Sequence, residues 1–267
     1  MRRARTRSLM HTPRELAALL WQQHRARAPY QSIKSLLPGA NLEAAYAVQD
    51  ELVRLMAATE GEPVGYKIGL TSLRMQRMCG LDQPVVGRVL ERRVHRPAAR
   101  VALGDFGRLG VESELCVTLK RDLPLRTVPY TREEIAGAIG GAAAAFELVD
   151  DRGADYACLD ALSLIADNSW NAGVVQGASS PPVDLGALAG ALHVDGELVD
   201  SGNSRDALSH PLAVVQWLSD HLRGYGSYLR AGELVMTGSI VTTRIAKVGE
   251  HYHFELAGLP PAELWVN

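Results

Sequence analysis

The apolar residues of this chain recur at helical spacing near its start and alternate along most of the remainder. Thr12-Pro13-Arg14-Glu15 places a capping hydroxyl, a proline at the first helical position and a glutamate three residues after the cap. A helix is therefore expected to start at Pro13 and to end near Ala28-Pro29. After Asn41, the stripe Leu42, Ala45, Val48, Leu52 and Leu55 predicts a second helix. From Gly61 the period changes: in GEPVGYKIGLTS, Tyr66, Ile68 and Leu70 alternate with Lys67, Gly69 and Thr71, a strand with Lys67 opposite the apolar set. MQRMCG reads as a short helix and LDQPVVGRVL as a turn into another strand. In GVESELCVTL, residues 110–119, strand alternation puts Glu112 and Glu114 on one face.

A second capping box at Thr131-Arg132-Glu133-Glu134 predicts a helix through GAIGGAAAA, its glycines serving close helix packing, that runs into a strand AFELVDD presenting Glu147. In SLIADNSWNAGVVQG a polar cluster, Asp167, Asn168 and Ser169, precedes a strand-like VVQG. Asp195-Gly196 within ALHVDGELV marks a tight hairpin, and His210-Pro211 opens a helix that closes near a glycine. The last stretch, AGELVMTGSIVTTRIAKVGEHYHFELAGLP, reads as strands of the same sheet. Helices first and mainly strands afterwards imply an α+β fold with a mixed sheet or barrel.

The acids inside GVESELCVTL add chemistry to this picture. Two like charges on a half-buried face lose hydration and repel each other, an arrangement that persists when something cationic compensates, and a hard divalent metal would do so. The competing reading is an edge strand whose polar face looks at water, with Lys67 likewise a solvated lysine. The bulk numbers favour small-molecule chemistry. With 267 residues, 47% of them hydrophobic and 22% charged, the chain can bury a full core, and a net charge of -2 makes no case for nucleic acid or an anionic membrane. Cys79, Cys116 and Cys158 are odd in number, widely spaced and free of any Cys-x-x-Cys pair, which argues against a disulfide framework or zinc knuckle and for a reducing cytoplasm. The basic start MRRARTRSLM lacks a following apolar segment and reads as a solvated tail, and no apolar run reaches membrane-spanning length. There is no Gly-x-Ser-x-Gly elbow, phosphate loop or His-Glu-x-x-His, and His251 with His253 reads as part of an exposed strand face.

GYKIGLTS, the Gly80-Leu81-Asp82-Gln83-Pro84 segment, VESEL, AFELVDDR and IADNS, in that order, resemble the 2-keto-4-pentenoate hydratase and 4-oxalocrotonate decarboxylase family of the fumarylacetoacetase-like superfamily. The resemblance runs from about Gly65 to the C-terminal strands. It implies a mixed β-barrel or sandwich-roll core on which an N-terminal helical segment, residues 1–60, forms one structural unit with a catalytic domain, residues 61–267. It also implies a magnesium or manganese site made by Glu112, Glu114 and Glu147, and an active-site lysine, Lys67. The substrate-binding set carried over comprises Lys67, Leu70, Asn168, Ser169, Thr237, Gly238 and Ser239, with a 2-oxo acid as substrate. A homo-oligomer is implied as well, with association with a neighbouring pathway enzyme as a further option.

Two reactions share the metal-held dienolate that this family uses, hydration of a 2-hydroxy-2,4-dienoate and decarboxylation of a 4-oxalocrotonate. The family's hydratases usually carry Pro-Asp-aromatic-Gly where this chain has Pro84-Val85-Val86-Gly87. Val85 cannot move protons, so hydration requires another acid, and Asp167 is the candidate; the frequency of hydratases in the family keeps hydration as the first reading. An acylpyruvate hydrolase would need a histidine beside the metal, and His95 and His193 sit in no matching motif. A non-catalytic partner subunit is a further alternative.

Overall fold

The computed structural model describes residues 11–181, 184–206 and 208–267; the basic stretch MRRARTRSLM lies outside the described residues. Helix α1 (Pro13–Ala26) starts where its capping box predicts, with Glu15 N donating to Thr12 Oγ1 at 3.3 Å and Thr12 N donating to Glu15 Oε2 at 2.8 Å. Helix α2 (Leu42–Glu60) buries Ala45, Val48, Leu52 and Met56. The short helices α3 (Leu73–Met78), α4 (Arg132–Ala138) and α5 (Ala161–Ala166) and the longer α6 (Pro211–Gly224) lie between strands. No described helix is long and apolar enough to cross a membrane.

The strands form two sheets. The first holds β1 (Pro63–Gly69), β2 (Val85–Leu90), β3 (Val94–His95), β5 (Leu109–Leu119), β6 (Ile139–Asp150), β7 (Asn171–Gln176), β10 (Leu234–Ser239) and β11 (Arg244–Ile245). Its order is β2-β1-β10-β5-β6-β7-β3, with β11 added beside β5. The second sheet, β4-β13-β12-β8-β9, is built from β4 (Ala99–Val101), β8 (Ala189–Val194), β9 (Glu197–Asn203), β12 (His251–Leu256) and β13 (Ala262–Val266).

Strands β2 and β3 stand at opposite ends of the first sheet, yet only Glu91–Arg93 separates them in sequence. The sheet therefore curls until its ends approach, giving a nearly closed barrel. Asn168 helps to bridge the remaining gap, since its Oδ1 accepts from Arg88 N at 2.7 Å and its Nδ2 donates to Arg88 O at 2.9 Å. One side-chain amide thus does for β2 what a neighbouring strand would do. Gln49 ties α2 to the same region by donating to Val86 O at 2.8 Å and Ile165 O at 2.7 Å.

Strand alternation divides the core in two. Inside the curl, Val89, Cys116, Ala145, Val174, Leu234 and Met236 pack together, while Leu115, Val117, Phe146 and Leu148 face outward into the larger core. There the second sheet covers them, with the Phe146 ring 6.2 Å from Tyr252 and 6.1 Å from Phe254.

Two expectations are corrected here. The helix after Thr131 ends at Ala138, and GGAAAA belongs to β6, because residues 141–150 pair without interruption with β5 and this ladder outweighs alanine's helical preference. Its glycines do serve close packing, but against strand and loop: a Cβ on Gly140 would lie 2.5 Å from that of Lys120, and one on Gly141 2.4 Å from Ser179 Oγ. The C-terminal strands also divide between the sheets, β10 and β11 joining the first and β12 and β13 the second. The hairpin at Asp195-Gly196 has the positive φ values, 53° and 84°, that a tight β8–β9 turn needs.

Replacing Asn168 by alanine should leave both backbone groups of Arg88 without these partners and destabilise the fold by about 2–4 kcal/mol. Urea unfolding measures this, and a loss below about 0.5 kcal/mol would show that the barrel closes without the amide.

Candidate active site

The antiparallel register of β5 and β6 sets Glu112 directly opposite Glu147, with Glu114 two residues along the same face. One carboxylate oxygen from each of the three lies within 4.8 Å of the others. Glu114 and Glu147 are fully buried and Glu112 is half-buried, so the solvated-face reading does not describe this strand. Lys67 enters from β1, also buried, with Nζ 3.2 Å from Glu147 Oε1. Gly87, its partner across β1 and β2, leaves the space its stem occupies, because a Cβ there would lie 3.1 Å from Lys67 Cγ.

Each acid is anchored by one oxygen. Gly238 N donates to Glu114 Oε2 at 2.9 Å, Asn171 Nδ2 to Glu147 Oε1 at 2.9 Å, and Thr243 Oγ1 to Glu112 Oε1 at 2.7 Å. Gly238 has φ 103°, and a Cβ at that position would meet Thr71 Oγ1 at 2.5 Å, so glycine is required. Glu114 Oε1 and Glu147 Oε2 remain buried without a hydrogen-bond partner. Buried carboxylate oxygens without donors are costly.

The titration behaviour follows from this crowding. Burial, then repulsion from Glu147 and Glu112, holds Glu114 well above the usual carboxylate range. Burial also raises Glu147, against the pull of Lys67, to about 7. For Lys67, burial alone would lower the pKa, but Glu147, Glu112 and Glu114 more than offset it, so the ammonium is held above its ordinary value. Three acids face one lysine, and the two unpartnered oxygens together with Glu112 offer the all-oxygen ligand set that a hard divalent cation takes once it displaces their protons.

A cavity of about 510 Å³ opens above the cluster, lined by Lys67, Leu70, Glu112, Ser169 and Ser239 among others. Val85 stands in its wall. The other residues of the expected substrate set have structural partners: Thr237 Oγ1 donates to Leu115 O at 2.9 Å, Gly238 holds Glu114, and Asn168 holds β2. Ser169 Oγ donates to Val86 O at 3.1 Å and Ser239 Oγ to Val241 O at 2.6 Å, so both meet the cavity as acceptors. Arg74, Tyr156, Trp170, Asp200 and Asp206 also line it and were not anticipated. Arg74, Tyr156, Trp170 and Asp206 come from short helical elements, where hydrophobic periodicity carries no signal, and Asp200 from the edge strand β9.

Asp167 requires a correction. It does not line the cavity; it is completely buried, with Arg152 Nη2 at 2.6 Å from one oxygen and His24 Nε2 at 2.6 Å from the other. Burial would raise its pKa, but His24 and Arg152 more than offset this and hold it below the usual range. Both oxygens are engaged in a link between α1 and the loop before β7, away from the cavity lining. No histidine lines the cavity; His95 borders a separate recess and His193 lies on the second sheet.

Three glutamates and a lysine thus stand together in a curled mixed sheet beneath a small cavity. Residues 78–267 match the fumarylacetoacetate (FAA) hydrolase C-terminal family, and the chain belongs to it. It is 31% identical over 247 residues to a 2-keto-4-pentenoate hydratase of Paraburkholderia phymatum, covering 91% of this chain and 93% of the relative. A 2-keto-4-pentenoate hydratase of Burkholderia vietnamiensis is 32% identical over 248 residues, with the same coverage of 91% and 93%. Among solved structures, 4-oxalocrotonate decarboxylase from Pseudomonas putida G7, complexed with magnesium and adipate, shares the fold with a TM-score of 0.88 at 24% identity, over 96% of this chain and 97% of that one.

Saturating divalent metal should raise the melting temperature, by the equivalent of about 2.7 kcal/mol at a hundredfold excess over Kd. The raised carboxylates cost the metal-free fold stability as pH rises through their pKa values, and metal must displace their protons, so the gain should grow from about pH 5 to about pH 8. Glu114→Gln should abolish both the gain and turnover while the chain stays folded; an unchanged metal response in that variant would refute the ligand set.

Asp167→Asn should destabilise by about 3–5 kcal/mol, because buried Arg152 loses its counter-charge. Turnover by the folded fraction should stay within about tenfold of the parent enzyme. A drop of more than about a hundredfold at unchanged stability would return Asp167 to proton transfer.

Proposed function

We propose that this chain is a divalent-metal-dependent lyase of the 2-keto-4-pentenoate hydratase type, which converts a 2-hydroxy-2,4-dienoate, the dienol of a 2-oxo-4-enoic acid, by adding water. The observation that carries this reading is the gathering of Glu112, Glu114 and Glu147 beside Lys67, with Glu112 and Lys67 lining the cavity and two carboxylate oxygens left unpartnered. Relatives named hydratases, alike over most of their length, support the reaction class.

Magnesium or manganese held by the three glutamates would supply Lewis-acid polarisation of the keto oxygen of a 2-oxo acid. Lys67 keeps its proton, so Nζ offers a second positive charge to an enolate oxygen and a proton to the carbon skeleton. The wall of Val85, Leu164 and Met75 takes the hydrocarbon part of the substrate and excludes water from it.

One observation favours a second reading. Val85 occupies the cavity wall where the family's hydratases usually place an aspartate, and with Asp167 engaged elsewhere the acid expected to activate water is missing from both positions. Decarboxylation of a 4-oxalocrotonate needs no activated water.

We also infer a homo-oligomer in the cytoplasm, in which the helical segment and residues 61–267 act as one unit. The three cysteines are free. Leu198, 61% exposed on the edge strand β9, and Val128 and Val248, 67% and 68% exposed, offer apolar surface for a second copy. Gln49 and the His24–Asp167 pair join the helices to the barrel.

Offered 2-hydroxypenta-2,4-dienoate with magnesium, the enzyme should consume its ultraviolet absorbance without releasing carbon dioxide. Offered 4-oxalocrotonate, it should release little carbon dioxide. The reverse pattern would replace hydration by decarboxylation, and inertness toward both would overturn the lyase.

A further inference from the structure

A second cavity, of about 450 Å³, lies beside α1 and β3 and shares no lining residue with the first. Its walls carry five arginines, Arg25, Arg27, Arg92, Arg93 and Arg100, against three carboxylates, Glu60, Asp105 and Asp150. The carboxylates are already engaged. Asp105 lies 3.3 Å from Arg27, and Glu60 lies 3.5 Å from Arg93. Asp150 accepts from the backbone N–H groups of Gly107, Arg108 and Arg152.

Arg25, Arg92 and Arg100 have no carboxylate within 4.0 Å among the described residues. Arg92 spends one nitrogen on Thr59 O at 2.8 Å, and the Arg100 guanidinium lies 5.0 Å from the centre of the Trp265 ring. Arg25, Arg92 and Arg100 are exposed and line one recess, and planar guanidinium forks suit carboxylate and phosphate oxygens. The first cavity is lined instead by Glu112, Asp200 and Asp206 against Lys67 and Arg74.

We propose that this recess binds a small organic anion carrying two or more negative charges, presented as phosphate or carboxylate groups, at a site distinct from the catalytic cavity. Arg25, Arg92 and Arg100 grip the anionic oxygens, and Trp21 and Phe106 in the same wall pack against its carbon frame.

Calorimetric titration of the magnesium-loaded protein tests this with two probes, fructose 1,6-bisphosphate and benzene-1,3,5-tricarboxylate. At least one should bind saturably, more weakly as salt is raised. Arg25→Ala and Arg92→Ala should each cost about tenfold in affinity, and the double variant should lose detectable binding. Arg74→Ala, in the lining of the catalytic cavity, should leave the affinity for the probe unchanged. A preference for one probe identifies the ligand as a phosphate ester or a polycarboxylate. Saturable heat from neither probe, affinity indifferent to Arg25 and Arg92, or affinity lost with Arg74 would each overturn the proposal. So would a cavity closed by a second copy, recognised because the arginine variants change the oligomeric mass instead of the heat.

Discussion

Glu114 and Glu147 are carboxylates placed side by side inside a curled sheet, and much of the surrounding architecture serves to hold them there. Water is excluded from both, so each needs a donor brought by another strand or loop: Gly238 at the end of β10, Asn171 at the start of β7, Lys67 from β1. These donors satisfy only part of the oxygen inventory. A sheet that keeps such a cluster folded without full compensation gives up stability for cation affinity, the trade expected of a preorganised site.

Keeping the acids apart from solvent also dictates how the barrel is finished. Cys116, Ala145 and Met236 pack on the same inner face as the cluster with small or flexible side chains, and Glu112 and Lys67 reach the substrate cavity. On the far side, Arg152 and His24 hold the loop before β7 through Asp167, and that loop presents Ser169 and Trp170 to the cavity while Asn168 holds β2. Three adjacent polar residues thus divide the labour: one anchors, one closes, one lines.

Much of this was legible in the amino-acid pattern. The capping boxes located α1 and the start of α4, and Asp195-Gly196 located its hairpin, because these signals are local and have a direct steric or hydrogen-bonding cause. Alternation placed Glu112 and Glu114 on one face. The GGAAAA segment misled, because whether alanines lie in a helix or a strand is decided by what pairs with them, here β5, and that partner is not local. The role of Asp167 was likewise invisible: Asp-Asn-Ser looks the same whether it faces substrate or a buried arginine, and His24 is 143 residues away. Tyr156 reaches the cavity from a connecting turn, Arg74 from the short helix α3 and Asp200 from the edge strand β9, places whose facing partners are not local.

The parallel pairing of β1 with β10 carries a temporal consequence. Lys67 lies beside Met236 in that ladder, so the strand bearing the lysine finds one of its two neighbours only when most of the polypeptide has left the ribosome. Pairings of such long sequence separation form late. The helices and the β5–β6 hairpin can assemble during synthesis while the ammonium still lacks its final seat. A nascent chain interrupted before β10 would carry all three glutamates without the strand that brings Lys67 to them, and its exposed ladder edges would be open to the wrong partners.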